Sequence, residues 1–241
     1  MTRRAPSDVA ARLTALDWDE LGQSLDAVGH ALTPPILTAP ECAALVRMYG
    51  DDRRFRSTVE MGRYRFGEGE YRYFAEPLPP LVAELRHHFF PRLAPIANRW
   101  MEALGAAERF PTDLTRWLGR CAAKGQHRPT PLLLRYSAGG FNCLHQDLYG
   151  ALAFPLQVTI ALSEPGGDYE GGEFLLVEQR PRAQSRGEAI VLGKGAAIVF
   201  PNRHRPVAGA RGSYRVTVRH GVSRIRSGER LALGIIFHDA E

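Results

Sequence analysis

The sequence has few cysteines and no long apolar run, and each absence excludes a class of protein. Only three cysteines, Cys42, Cys121 and Cys143, are scattered over 241 residues, without any Cys-x-x-Cys pair. This argues against a disulfide framework and a structural zinc cluster, and favours the reducing cytoplasm. No apolar run approaches roughly 18 residues, so we expect no transmembrane helix. Residues 1–13 lack the apolar stretch of a secretory signal.

Acidic residues are scarce in one part of the chain. The net charge is +5, and residues 178–230 contain twelve lysines and arginines but only three acidic residues. A basic stretch of this kind suits a polyanionic partner such as nucleic acid. An arginine-rich surface without any ligand would have the same composition, so both alternatives stay open. No feature of the sequence specifies an oligomeric state.

The pattern of apolar residues changes near the middle of the chain. Helical spacing predicts helices over 17–28, 39–49, 79–104 and 113–124, with Pro91 and Pro95 expected to kink or split the third. Alternating aromatic and charged residues predict a hairpin near 55–74. Beyond residue 131, glycine-rich turns separate seven short strands, predicted over 132–136, 156–162, 173–177, 189–191, 197–200, 214–220 and 231–237.

These elements predict an α+β fold. A mainly helical region, 1–125, is expected to pack on a barrel or jelly-roll core, 126–241, with the hairpin supplying strands that the core lacks. Hydrophobic residues make up 44% of the chain, which is enough for a sizeable core, and no linker or internal repeat is evident. The sequence therefore predicts a single domain over residues 1–241.

Two histidines and one carboxylate suggest a metal site. His145 and Asp147 are two residues apart, so on a strand they would face the same side and could chelate one ion. With His220 they would form the ligand set of a non-haem Fe(II) oxygenase, which leaves coordination positions open for O2 and a cosubstrate.

The second histidine has a competitor. His220 shares a strand face with Val216 and Val218, as a residue inside a barrel should. His204 follows another predicted strand and could also serve. We favour His220 because of this strand phase and because Arg230 follows ten residues later.

Arg230 is the candidate for binding a cosubstrate. On the last predicted strand it shares a face with the small residues Ala232 and Gly234, which leave space beside its guanidinium. A planar guanidinium binds a carboxylate through two parallel hydrogen bonds, as the distal group of a 2-oxo acid would require. The alternative is structural, since His-x-Asp also occurs in surface turns and a histidine on an apolar face often has a packing role.

Three segments together resemble the Fe(II)/2-oxoglutarate-dependent dioxygenases, whose fold is a double-stranded β-helix, over residues 131–241. The first, residues 134–140 leading into Leu-His-Gln-Asp at 144–147, is similar to the ligand segment of AlkB-type nucleic-acid dealkylases. In that family the tyrosine of the Arg-Tyr pair contacts 2-oxoglutarate, which implies this role for Tyr136. The sequence departs from the family in lacking a further arginine on the last strand.

The other two segments are similar to prolyl-hydroxylase-like members. They are the Tyr-x-Gly-Gly-Glu turn at 169–173 and the segment from His220 to Arg230, which matches the distal histidine and the cosubstrate arginine. Residues 179–186, together with the Leu-His-Gln-Asp-Leu-Tyr-Gly run at 144–150, resemble a bacterial oxygenase family proposed to act on damaged DNA.

The resemblance implies Fe(II) held by His145, Asp147 and His220, with 2-oxoglutarate and O2 as co-substrates. It implies hydroxylation or oxidative demethylation of a C–H bond, and the expected substrate is a damaged or methylated nucleic-acid base. The candidate stacking platforms are Tyr71, Tyr73, Phe74, Phe141 and Tyr149. Two alternatives remain: a protein, peptide or amino-acid hydroxylase of prolyl-hydroxylase type, and a non-enzymatic, cupin-like metal-binding barrel.

Overall fold

The computed structural model describes residues 9–210 and 212–241. The segment 1–8, considered above for a signal sequence, and Arg211 of the basic stretch lie outside the described residues. Side chains of Asp17, Thr38 and Asp113 cap the starts of three helices by accepting backbone hydrogen bonds. In chain order the helices are α1 Val9–Thr14, α2 Trp18–Val28, α3 Ala39–Met48, α4 Pro80–Ala103 and α5 Leu114–Ala122.

Helix α4 is continuous through both of its internal prolines. Each proline removes one backbone donor, which weakens a helix locally. The face of α4 that carries Phe89, Phe90 and Leu93 is fully buried in the main core, and packing of an apolar face supplies most of a helix's stability in a protein. Of the expected kink or split at Pro91 and Pro95, the split is wrong, because one helix spans Pro80–Ala103, and the kink stays a prediction.

The strands include all seven predicted between residues 131 and 241. The predicted hairpin is also present, as an antiparallel pair of the second and fourth strands. Within the described ranges the strands are β1 Ala31–Leu32, β2 Phe55–Glu60, β3 Gly67–Glu68, β4 Glu70–Phe74, β5 Leu132–Ser137, β6 Phe141–His145, β7 Leu156–Ala161, β8 Tyr169–Gly171, β9 Phe174–Gln179, β10 Arg186–Ile190, β11 Ala197–Pro201, β12 His204–Gly209, β13 Gly212–Val222 and β14 Ile225–Ile236.

The strands form two antiparallel sheets. The major sheet has the order β1-β11-β7-β14-β5-β4-β2, with β8 paired to β14. The minor sheet has the order β10-β9-β13-β6-β3, with β12 paired to β13. The two sheets pack face to face, because Leu176 and Val218 of the minor sheet share an apolar cluster with Ile198 and Phe200 of the major sheet. This is the α+β, jelly-roll type of architecture predicted from the sequence.

The helices cover the outer face of the major sheet. Leu133, Leu233 and Ile235 point outward and belong to one apolar cluster with residues from all five helices. The helical region and the strand core therefore share one apolar cluster, while the single domain over residues 1–241 stays a prediction. None of the helices in the described ranges is both long and apolar enough to cross a membrane.

The inner face of the major sheet differs between its two ends. At one end it packs on Val216 and Val218 of β13. At the other end Ala232 and Gly234 of β14 have little or no side chain, and an open cavity lies above them. The functional candidates lie at this end.

Candidate metal and cosubstrate site

A cavity of about 350 Å³ lies between the two sheets. Its wall on the major sheet includes inward residues of β4, β5, β7, β11 and β14, which alternate with residues that face the helices. All five residues predicted from the sequence line it, namely Tyr136, His145, Asp147, His220 and Arg230.

Three of these residues bring metal-ligand atoms together. They are His145, Asp147 and His220, and together they are called the metal group. The Nε2 atom of His145 lies 3.6 Å from Oδ1 of Asp147, and Nε2 of His220 lies 3.2 Å from Oδ2 of the same carboxylate. Metal bonds of about 2.1 Å at right angles place neighbouring ligand atoms about 3 Å apart, so these separations suit one ion. His204 lies outside this group, on β12 opposite Thr217.

Strand pairing and a turn bring the three ligands together. His220 of β13 is directly opposite His145 of β6 in the minor sheet. The predicted phase of β13 is confirmed, since Val218 is buried and Arg219 is exposed. Strand β6 ends at His145, so the two-residue alternation does not apply to Asp147. The turn that follows the strand directs this carboxylate toward the histidines.

The protonation states of the group suit a divalent cation. Nδ1 of His145 lies 2.8 Å from the carbonyl oxygen of Cys143, so we place its proton on Nδ1, which leaves the lone pair of Nε2 free. Burial lowers the pKa of His220, which favours the neutral imidazole. Burial alone would raise the pKa of Asp147, but His220, His145 and the Tyr149 hydroxyl hold it below its usual range. Two neutral imidazoles and one carboxylate are the donors of non-haem Fe(II) sites.

Arg230 is a buried cation without a counter-ion. It is 3% exposed, and it forms no ion pair or hydrogen bond with any residue in the described ranges. Its guanidinium carbon lies 5.7 Å from the centre of the Tyr136 ring. Leaving a charge buried and unpaired costs several kcal/mol, so the cavity favours an anionic ligand. A carboxylate of 2-oxoglutarate meets this requirement.

Tyr136 adds a neutral hydrogen-bonding group beside Arg230. The side chain is fully buried, and its hydroxyl accepts a hydrogen bond from Nδ2 of Asn142 at 3.3 Å. Burial raises the pKa of Tyr136 to about 12. The phenol therefore stays protonated at neutral pH and retains a hydrogen that it can donate to an anion.

The Tyr-x-Gly-Gly turn lies against the stem of Arg230. Gly172 has a left-handed backbone with φ of 64°. A Cβ atom there would lie 3.0 Å from Cδ of Arg230 and would clash with Ile225. Only glycine therefore allows this turn to approach the arginine so closely.

Tyr149 supports the metal ligand Asp147 through a hydrogen bond that is not predicted from the sequence. Its hydroxyl donates a hydrogen bond to Oδ1 of Asp147 at 2.6 Å. The available signal is a tyrosine two residues after a candidate ligand, whereas Tyr149 is considered from the sequence only for base stacking. Gln146, between the two ligands, donates to the carbonyl oxygen of Val218 at 2.8 Å and so joins this turn to β13.

The other candidate stacking platforms have different environments. Tyr71 and Tyr73 line the cavity. Phe74 is fully buried in the main core and stacks on Phe55, because it faces the helices. Its assignment as a platform is wrong. Phe141 is half-buried beneath the guanidinium of Arg224.

The basic stretch 178–230 is divided among several environments. Arg205 is fully buried, and its Nε donates to Glu178 at 2.7 Å, while Arg230 lies in the cavity. The carbonyl oxygen of Arg203 accepts from the Gln146 side chain at 3.4 Å, which puts this exposed residue beside the metal group. Five exposed arginines of the stretch have no acidic partner in the described part of the chain: Arg182, Arg203, Arg215, Arg219 and Arg224.

The chain resembles several solved structures of oxygenases. The chain is similar to a prolyl hydroxylase of Trichoplax adhaerens (TM-score 0.56, 13% identity, 97% of this chain and 93% of that one). It is also similar to a 2OG-Fe(II) oxygenase family oxidoreductase of Burkholderia pseudomallei (TM-score 0.55, 15% identity, 94% and 93%). These likenesses confirm the double-stranded β-helix fold predicted from the sequence.

Fold and site together define an oxidoreductase of the 2-oxoglutarate- and Fe(II)-dependent class, with Fe(II), 2-oxoglutarate and O2 as the cofactors that its donor set fits. The chain belongs to the oxygenase family described as catalysing oxidative methylation of damaged DNA, which matches residues 69–240. This match begins well before residue 131, where the motif resemblance began. Over 191 residues the chain is 51% identical to the uncharacterized protein Rv2227 of Mycobacterium tuberculosis, covering 78% of this chain and 82% of the relative.

Proposed function

We propose that this oxygenase hydroxylates or oxidatively demethylates a C–H bond of a nucleic-acid base. One observation carries the chemistry: a single cavity is lined by the His145, Asp147 and His220 group and by a buried arginine that has no counter-ion. The family description, which names damaged DNA, supports the class of substrate.

In this proposal His145, Asp147 and His220 would hold Fe(II), and Arg230 and Tyr136 would bind 2-oxoglutarate. Fe(II) held there would supply oxidative decarboxylation of 2-oxoglutarate to succinate and CO2, coupled to insertion of one oxygen atom of O2 into a substrate C–H bond. Arg230 orients the cosubstrate by pairing with a carboxylate. The apolar wall of Leu132, Leu134 and Ile236 limits the water around the reacting groups.

The depth of the cavity bears on the form of the substrate. His220 and Arg230 are almost fully buried, so a base inside a duplex could not reach them. Enzymes that modify bases act on single strands or extrude the target nucleotide into a pocket. Tyr71 and Tyr73, which line the cavity, offer apolar ring surface to such a base.

Turnover of defined oligonucleotides tests this proposal. Iron-loaded protein is expected to release succinate from 2-oxoglutarate faster when a methylated single-stranded oligonucleotide is present, with formaldehyde and a demethylated base as products. His220→Ala should lose iron binding and turnover, whereas the matched variant His204→Ala should retain both. Loss of turnover in His204→Ala alone would contradict the ligand assignment. Oligonucleotides that neither bind nor react would contradict the substrate class.

A peptide hydroxylase is the second candidate. The observation that favours it is the Tyr-x-Gly-Gly turn packed on Arg230, because this turn and the segment from His220 to Arg230 are similar to those of prolyl-hydroxylase-like enzymes. Peptide turnover that adds the mass of one oxygen atom would support this alternative. Succinate release stimulated by either substrate would exclude a non-enzymatic, cupin-like barrel.

A further inference from the structure

The mouth of the cavity carries two large aromatic rings that face solvent. Tyr64 and Phe66, in the turn between β2 and β3, are 60% and 47% exposed. Their ring centres are 5.5 Å apart and their planes differ by 21°, so the two rings stack. Phe66 itself lines the cavity, together with Arg65 and Leu144. The stacked pair is therefore continuous with the opening that leads to the metal group.

The turn that carries these rings is anchored to the fold. Met61, at its start, is fully buried in a cluster with Tyr136. Its backbone N–H donates to Gly69 at 2.9 Å, and its carbonyl oxygen accepts from Phe66 at 3.1 Å. The carbonyl oxygen of Phe66 accepts from Cys143 of β6 at 2.8 Å. The rings are thus exposed on an ordered segment, and exposed apolar patches of this kind commonly mark binding sites.

Positive charge without a partner accompanies the rings. Arg65 is exposed, has a left-handed backbone with φ of 59°, and pairs with no acidic residue in the described ranges. Arg203 lies on the β13 side of the metal group, beyond Gln146. Strand β6 separates the two arginines, since it pairs with β3 on one edge and with β13 on the other. An anionic chain that crosses the mouth would meet a cation on each side.

We propose that Tyr64 and Phe66 form a stacking site for an unpaired nucleobase that neighbours the base in the cavity, with Arg65 on the connecting phosphate. This inference rests on the proposed function and names the form of its substrate, a single-stranded or locally unpaired nucleic acid. Aromatic rings stack on any base, and a nearby cation neutralises the backbone. Arg65 and Arg203, which pair with no acidic residue in the described ranges, favour an anionic chain over a neutral peptide.

An abasic substitution tests the inference without altering the protein. The probe is a fluorescein-labelled single-stranded oligonucleotide with a methylated target base, and its binding to the full chain with Mn(II) and 2-oxoglutarate is followed by anisotropy. Removing one neighbouring base is expected to weaken binding of wild-type protein about 10-fold. Equal affinity for intact oligonucleotides and for those abasic on either side of the target would overturn the stacking site.

Variants of the turn, combined with the intact and abasic oligonucleotides, complete a double-mutant cycle between ring and base. The double variant Tyr64→Ala/Phe66→Ala should bind the intact oligonucleotide about 10- to 100-fold more weakly and should lose little further affinity for the abasic one. Phe66→Trp, which retains a ring, should retain binding. If the double variant binds as wild type does, or if it loses affinity for a peptide substrate instead, the inference is wrong.

The chain offers matched controls. Arg182 is the other exposed arginine with φ of 59°. It follows the C-terminal end of β9, whereas the cavity lies at the N-terminal end of that strand, where Phe174 lines it. Arg182→Ala should bind as wild type does, whereas Arg65→Ala should bind more weakly and with a lower dependence on salt. Val191→Ala removes an exposed apolar residue elsewhere and controls for the loss of the rings. Wild-type protein that binds no nucleic acid would contradict the proposed function, whereas tight binding that is unaffected by these changes contradicts only the stacking site.

Discussion

The hydroxyl of Tyr149 donates a 2.6 Å hydrogen bond to one oxygen of Asp147, while the other oxygen lies 3.2 Å from Nε2 of His220. The two carboxylate oxygens thus differ in their surroundings. The Tyr149 ring packs edge-on against Tyr73, with 6.1 Å between ring centres, and this contact holds the hydroxyl in place. The carboxylate is therefore oriented toward the histidines before any metal binds.

Removing this hydroxyl is expected to weaken metal binding. Tyr149→Phe keeps the ring but frees one oxygen of Asp147, and loss of such a supporting hydrogen bond typically lowers metal affinity about 10- to 100-fold. Anaerobic titration with Fe(II) measures the effect. Tyr71→Phe is the matched control, because Tyr71 lines the same cavity and its hydroxyl has no hydrogen bond with a described residue. Equal Fe(II) affinity of Tyr149→Phe and wild type would contradict the positioning role.

Replacing Arg230 should raise the stability of the cosubstrate-free protein and lower its affinity for 2-oxoglutarate. Arg230→Met removes a buried, unpaired charge, so the cosubstrate-free variant should be more stable than wild type by about 1 kcal/mol or more. The same variant should bind 2-oxoglutarate about 100-fold more weakly, because it lacks the charge-assisted hydrogen bonds. Thermal unfolding with and without 2-oxoglutarate measures both effects.

Arg230→Lys separates charge from geometry in that experiment. Lysine retains the positive charge but cannot form the planar pair of hydrogen bonds. Its 2-oxoglutarate affinity should fall between those of the wild type and Arg230→Met. A variant Arg230→Met that 2-oxoglutarate stabilises as much as the wild type would show that the cosubstrate binds elsewhere.

Two glycines with similar backbones should respond differently to alanine. Gly172→Ala and Gly166→Ala both place a side chain on a left-handed backbone, with φ of 64° and 78°. A Cβ atom at Gly172 meets Arg230 and Ile225, whereas one at Gly166 meets no atom within 4 Å. Gly166→Ala should lose roughly 1 kcal/mol of stability through its backbone alone, and Gly172→Ala should lose more, because its side chain also meets Ile225. Only Gly172→Ala should lose 2-oxoglutarate affinity, measured by calorimetry, and an equal loss in both would exclude steric contact as the cause.

The buried pair of Glu178 and Arg205 should give the fold a dependence on acid. Burial alone would raise the pKa of Glu178, but Arg180 and Arg205 lower it below its ordinary value of 4.5. The ionised carboxylate therefore contributes fully above about pH 4.5, and this contribution is lost as the pH falls through the lowered pKa. At neutral pH, Glu178→Gln should cost about 3 kcal/mol, because Arg205 is left buried without a counter-ion.

Urea unfolding at several pH values tests the sign of this effect. The difference in free energy of unfolding between wild type and Glu178→Gln should shrink as the pH falls below about 4.5. Glu188→Gln breaks the more exposed pair between Glu188 and Arg186, which both lie on β10. It should lower the free energy of unfolding by less than about 1 kcal/mol. A difference for Glu178→Gln that stays constant down to pH 3 would contradict the linkage.

Strand periodicity explains why much of the core was predictable. In β13 the alternation of Val216 and Val218 with Arg215 and Arg219 sets which face is buried, so the inward direction of His220 follows from the sequence alone. The same rule places Arg230 of β14 on the cavity side, because a one-residue shift would bury the wrong set of side chains.

Other features depend on tertiary contacts that periodicity does not encode. Strand β12 contains Pro206, which normally argues against a strand. Within the described residues β12 pairs only with β13, so one of its edges is free and a residue without a backbone N–H is tolerated there. The Tyr149 contact arises in the turn after β6, where no repeat governs the direction of side chains. The burial of Phe74 depends on the helices that cover its sheet, and these come from distant parts of the sequence.

One backbone hydrogen bond, from Cys143 to Phe66, connects the outer turn to the strand that ends at His145. The span from the Phe66 ring to the metal group is therefore set by a few residues of rigid sheet. If a base stacks on Phe66, this span works as a molecular ruler that counts nucleotides. Oxidation would then fall at a constant offset from the stacked base, whatever the surrounding sequence, and the distribution of products along a uniform oligonucleotide would record that offset.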